Sequence, residues 1–136
     1  MAPLGSKMTR RSIIPDELQS YYSEWKMSPG LVSGDHLFLT GVTGAHADGS
    51  LSKDPETQMR SAFEKIGFVL RDVGLDFTSL VEMTTYHIGL AEHLETFKAV
   101  RGEYVCEPYP AWTAIEVAGF VRKGAIIEIR AICAMG

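Results

Sequence analysis

The residues able to do chemistry gather in the C-terminal half of the chain. Glu116, Glu128 and Arg130 stand among apolar residues in Trp112-Thr113-Ala114-Ile115-Glu116 and Ile127-Glu128-Ile129-Arg130. A strand carboxylate whose pKa is raised by its surroundings can orient water or act as a general base. The same group can instead form an ion pair, and Arg130 is a natural partner for Glu116 or Glu128. Trp112 offers either an indole face for stacking a planar ligand or bulk that closes a gap. His87 has the intrinsic pKa of an acid–base group, although a lone strand histidine equally serves packing. His36, His46 and His93 fall in loops or at a helix start with no metal-ligand spacing, so no metal is expected. Cys106 and Cys133 carry no nucleophile signature and read as packing thiols. Gly41 and Gly44 make no phosphate-binding pattern.

The elements that must position these groups are readable from period and punctuation. Arg10 to Ile14 reads as a first edge strand. Residues 16–28 are irregular, with a possible short helical turn. Leu31–Ser33 and Leu37–Thr40 form a hairpin about Gly34-Asp35. Residues 41–54 are glycine-rich and read as a functional loop. Asp54 then supplies an N-cap ahead of Pro55. Met59, Ala62, Phe63, Ile66, Val69, Leu70 and Val73 follow at helical spacing, and Gly74 ends the run. A long strand is predicted over Ser79–Leu90 and a second helix over Glu92–Val105. Strands over Ala111–Ala118 and Ala125–Ala134 complete the chain. The reading is an α+β sandwich, a mixed six-stranded sheet with two helices on one face. The other face is assigned Trp112, Glu116, Glu128 and Arg130, a set that implies a subunit interface with polar clefts.

At 136 residues the chain fits one domain, with residues 10–136 as that domain and 1–9 as a tag or disordered tail. Hydrophobic residues make up 46% and charged residues 22%, a globular composition that argues against disorder. The net charge of −4 repels phosphate backbones, so no nucleic-acid partner is expected. The longest apolar run, Ala131–Met135, is too short for a bilayer, so no membrane association is expected either. Two unpatterned cysteines fit a reducing cytoplasm better than a disulfide scaffold.

Tyr109-Pro110-Ala111-Trp112-Thr113-Ala114-Ile115-Glu116-Val117-Ala118, followed by Ile127-Glu128-Ile129-Arg130-Ala131-Ile132, resembles the C-terminal signature of the Rid/YjgF family. Leu37-Phe38-Leu39-Thr40-Gly41 resembles that family's strand ending in Ser-Gly, and Gln58 matches its common helix glutamine. The resemblance implies a chorismate-mutase-like fold assembled as a homotrimer around a central barrel, with small-molecule ligands in intersubunit clefts. It implies metal-free and cofactor-free hydrolysis of enamines or imines. Glu128 would position water together with the carbonyl of Ala114, and Thr40 would stand for the usual serine. The family's carboxylate-holding arginine is Trp112 here, which leaves Arg130 as a candidate substitute and His87 as a further binding residue. The expected activity is therefore deaminase-type hydrolysis of a labile C–N metabolite that depends little on a carboxylate. The alternative is a non-catalytic metabolite-binding or interaction protein. Ribonuclease activity, attached to some family members, is disfavoured by the acidic charge.

Overall fold

Asp54 sets the element that organises the rest. In the computed structural model, which describes residues 9–136, its carboxylate accepts the Thr57 N–H at 3.0 Å. Pro55 then opens the long helix Pro55–Asp72. The helix closes on Gly74, whose φ of +72° no branched residue adopts cheaply. There the Leu75 N–H reaches the Leu70 carbonyl at 2.9 Å and the Gly74 N–H reaches Arg71 at 3.1 Å. The expected tail lies, up to residue 8, outside the described residues.

The strands are β1 (Arg11–Ile13), β2 (Gly30–Ser33), β3 (His36–Thr43), β4 (Leu80–His87), β5 (Ala111–Glu116) and β6 (Ile127–Ala134). The helices are α1 (Gln19–Ser23), α2 (Pro55–Asp72) and α3 (Leu90–Arg101). They form one sheet in the order β1-β2-β3-β6-β4-β5. All its pairs are antiparallel except β4 with β5. The parallel pair needs a crossover, which α3 supplies. The expected turn within residues 16–28 is a 3₁₀ turn at Asp16–Leu18 running into α1. The expected hairpin is present, with Ser33 paired to His36 and Gly34 at φ +59°.

Most element ends differ from the sequence reading by one to three residues, and the strand expected over Ser79–Leu90 ends at His87, with Leu90 opening the next helix. The glycine-rich segment does not begin a loop at residue 41, because β3 continues through Gly41 to Thr43. A bulge places Thr40 and Gly41 opposite Arg130 alone, since Leu39 pairs with Ala131 and Val42 with Ile129. The second helix starts earlier and stops at Arg101, leaving Tyr104 in a turn.

The core lies between the sheet and the two long helices. Leu37, Leu39, Met83, Ile127, Ile129, Ala131 and Cys133 meet Met59, Ala62, Phe63, Ile66, Leu70, Phe97 and Val100, all buried. Phe63 sits at its centre, with its ring 4.6 Å from Tyr104 and 5.9 Å from Phe97, both stacked.

One sheet-face assignment is corrected by the register. Across the parallel pair, Trp112 lies beside Met83, Ala114 beside Thr85 and Glu116 beside His87. Met83, Thr85 and His87 are buried beneath the helices, so Trp112, Ala114 and Glu116 share the helix side. Glu128 and Arg130 pair with Tyr86 and Thr84 on the opposite side. The four residues expected on one face are split between two. Alternation fixes which residues share a face but not which face turns inward, and β5 has no fully buried residue to settle it.

Candidate functional site

The N-terminal segment 16–27 leaves a cleft of about 490 Å³ between itself, the bulged end of β3 and the start of β6. Its walls include Tyr21, Trp25, Met27, Thr40, Gly41, Lys65, Arg122 and Glu128. Leu18 is buried and anchors the segment, and the Arg71 guanidinium forks onto Glu17 with contacts of 2.8 and 2.9 Å. That ion pair is exposed and contributes little energy, but it fixes where Tyr21 stands against α2.

Glu128 is delivered by β6, on the side away from the core. Burial pushes its carboxyl above the usual carboxylate range. The bulge makes room for it, since a Cβ on Gly41 would lie 2.6 Å from Glu128 Oε2. A glycine is therefore required for the carboxylate to lie across β3. Thr40 is in the same cleft, its hydroxyl 3.6 Å from the Met27 sulfur.

Tyr21 is the hub on the opposite wall. Lys65 donates from Nζ to its hydroxyl at 3.1 Å and sits 5.6 Å from its ring centroid. Burial, with the nearby Glu128 charge, pushes the Tyr21 phenol up to about 12, so it stays protonated. Lys65 is only 8% exposed. Desolvation first, then Arg122, lowers its ammonium from 10.5 to about 8.

The rim is tied by Gln58. Its amide donates to the Ser52 and Gly124 carbonyls at 2.8 and 3.1 Å, and its carbonyl accepts the Ile126 N–H at 2.9 Å. One buried side chain thus joins the 45–52 loop, the 121–126 loop and α2.

Of the residues proposed from sequence, the structure brings Glu128 and Thr40 together in this cleft. Arg130 is exposed on the open sheet face, outside it. Ala114 lies on β5, two strands from β6, about 10 Å across the sheet. Trp112 packs beneath α3, its ring 5.8 Å from Phe97 and 4.3 Å from the Arg101 guanidinium. Its indole N–H donates to the Thr85 hydroxyl at 2.9 Å. Within this chain the indole is therefore filler rather than a platform. Glu116 caps α3, accepting the Leu90 N–H at 2.9 Å.

His87, a candidate binding residue in the sequence, lies in the core of this chain. It is 0% exposed, 2.8 Å from Thr85 through Nε2 and edge-on to Phe97, and its Nδ1 has no partner among the described residues. Burial lowers its pKa from 6.5 to about 4. The unfolded chain therefore takes up the proton first, and stability falls as pH drops from about 6.5 towards 4. The full loss is about 3 kcal/mol. Urea midpoints measured across that window should fall for the wild type and fall much less for His87→Leu. Equal slopes for the two proteins would contradict this role.

Lys65 and Arg122 escaped the sequence reading. Lys65 did leave a trace, because position 65 falls three after Ala62 and four before Val69, inside the apolar stripe of α2. Tyr21 and Arg122 lie in irregular sequence, where no period marks a buried side.

The family profile described as Endoribonuclease L-PSP matches residues 18–135, nearly the whole described chain. The chain belongs to the Rid/YjgF family. Its segment of 115 residues is 33% identical to the RutC family protein YjgH of Escherichia coli strain K12, covering 82% of this chain and 88% of that one. A solved structure of protein YjgH superposes with a TM-score of 0.84 at 31% identity, covering 92% and 95% of the two chains. E. coli TdcF, solved with bound serine, shares the fold at a TM-score of 0.71 and 23% identity over 79% and 87%. Rid/YjgF membership makes this chain similar to small-molecule-binding proteins, and the 490 Å³ cleft is of a size for such a ligand.

Proposed function

We propose that this Rid/YjgF protein hydrolyses an imine or enamine, with Glu128 positioning and deprotonating the attacking water. The observation that carries the reading is a carboxylate with a raised pKa lying across Gly41 in a ligand-sized cleft. A base of that kind passes its proton to the departing nitrogen without leaving the site. Thr40 and Tyr21 supply hydroxyls for orientation, and no step calls for a metal. The bound serine of TdcF, a protein of the same fold, supports a small polar ligand of amino-acid size.

The working assembly is proposed to be a homotrimer in the cytoplasm. Phe38, Val81 and Ile115 are exposed in the isolated chain, and β-strand positions 38 and 115 face away from the helices. A partner sheet would cover them. Ala114, remote from Glu128 within one chain, would then approach the cleft from the neighbouring subunit, as would Arg130.

Substrate preference follows from the cleft walls. Arg122 is the guanidinium lining the cleft, and it is exposed, so its pairing with a carboxylate is worth about 0–1 kcal/mol. Tyr21, Met27 and Trp25, the last 54% exposed, instead offer apolar surface to a ring. Imines generated in situ by an amino-acid oxidase from phenylalanine and from alanine provide the assay. Hydrolysis of the aromatic imine should exceed that of 2-iminopropanoate by at least about tenfold in kcat/KM, about 1.4 kcal/mol. Equal or reversed preference would refute the substrate assignment. No turnover of either would favour a protein that binds its metabolite without reacting.

A further inference from the structure

Lys65 has a setting that the water-positioning role of Glu128 does not use. It lies on the flank of α2, 8% exposed, lines the same cleft as Glu128, and forms no ion pair with a carboxylate among the described residues. Its contacts are the Tyr21 hydroxyl at 3.1 Å and the Tyr21 ring. A buried ammonium normally keeps an acidic partner, because desolvating an unpaired charge is costly. Here the charged group that acts on it is another cation, Arg122. A lysine so placed is suited to carry a free amine.

We propose that Lys65 is the nucleophile of the reaction, forming a Schiff base with the carbonyl-derived carbon of the substrate. The proposal rests on the imine-hydrolysis reading and specifies its covalent course. The Nζ lone pair adds to the C=N carbon, and the C=N π pair moves to the substrate nitrogen, which takes a proton from Glu128. Proton transfer from Nζ to that nitrogen by way of Glu128 lets ammonia leave, and the carbon–Nζ double bond forms. Water then adds to the same carbon, giving its proton to Glu128. Collapse of the adduct breaks the carbon–Nζ bond, returns the amine to Lys65 and releases the carbonyl product. The sum is imine plus water giving carbonyl plus ammonia, with nothing oxidised or reduced. The protonated Tyr21 phenol, hydrogen-bonded to Nζ, holds the amine in the cleft. Desolvation lowers the Lys65 ammonium to about 8, which favours the neutral amine that attacks.

The reverse of the last step makes the site readable without an imine. The protein is incubated at pH 8 with phenylpyruvate and sodium cyanoborohydride, then digested and analysed by mass spectrometry. The hydride reduces any lysine Schiff base to a stable secondary amine. The exposed Lys26, Lys53, Lys98 and Lys123 are internal standards in the same tube. Lys65 is expected to be labelled at least about tenfold faster than any of them. Tyr21→Phe, which keeps the ring and removes the hydroxyl, should slow the labelling of Lys65 alone. Labelling of Lys65 no faster than the exposed lysines would overturn the proposal. If Glu128-dependent imine turnover then persists, direct attack by water stands and only the covalent step is lost. If Lys65 is labelled selectively while imines are not turned over, the nucleophile stands and the imine is the wrong substrate.

Discussion

Glu128→Ala is expected to lower imine hydrolysis by about 10²–10⁴-fold with the fold unchanged. The size of the effect is that of a positioned acid–base group, about 3–5 kcal/mol of barrier. The fold should survive because the β6 backbone keeps its pairings to Thr43 and Tyr86, and the lost carboxylate was itself penalised by burial. Glu128→Gln separates shape from protonation: it retains the volume over Gly41 and cannot accept the proton. It should be as slow as Glu128→Ala, with KM closer to the wild type. Steady-state ammonia release for the three proteins, with circular dichroism as the fold control, checks this. A Glu128→Gln enzyme within threefold of wild type would remove Glu128 from the chemistry.

Phe63→Ala should destabilise the domain by roughly 3–5 kcal/mol, a fall in Tm of roughly 10–20 °C. Phe63 is fully buried, and its ring contacts Tyr104, Phe97 and Phe77 at once. These come from the turn after α3, from α3 and from the turn before β4, so the cavity would sit where three segments meet α2. Backbone in those places cannot collapse inward without breaking the caps, so the cavity term is paid nearly in full. Thermal melts of wild type and variant decide it, and an unchanged midpoint would mean that the aromatic cluster carries no stability.

The contrast between these two sites shows what the sequence could say. Phe63 was legible because α2 combines a capped start, a glycine stop and an unbroken 3.6-residue stripe, each signal local to its own segment. Glu128 and Thr40 were legible as candidates through the C-terminal signature and the strand ending in Thr-Gly. Their meeting point was not. It depends on the bulge at Thr40-Gly41 and on an N-terminal segment whose position is fixed by Leu18 and the Arg71–Glu17 pair, contacts between residues far apart in sequence. The placement of Trp112 and His87 was not legible, for one reason. Both are set by the register of the parallel β4–β5 pair, which places them beneath α3, and strand alternation alone is symmetric between the two faces. Within one chain Trp112 does not line the cleft, and Arg122, on a loop without pattern, does.

The cleft bounded by Tyr21, Thr40, Lys65 and Glu128 is the proposed seat of the substrate. A crystal structure of the protein grown with phenylpyruvate, the hydrolysis product of the aromatic imine, measures this directly. The ring is expected against Tyr21 and Trp25, with the keto carbon within reach of Lys65 and Glu128. Phenylpyruvate bound elsewhere, for instance beside Trp112 and Arg101 under α3, with the cleft empty, would contradict it.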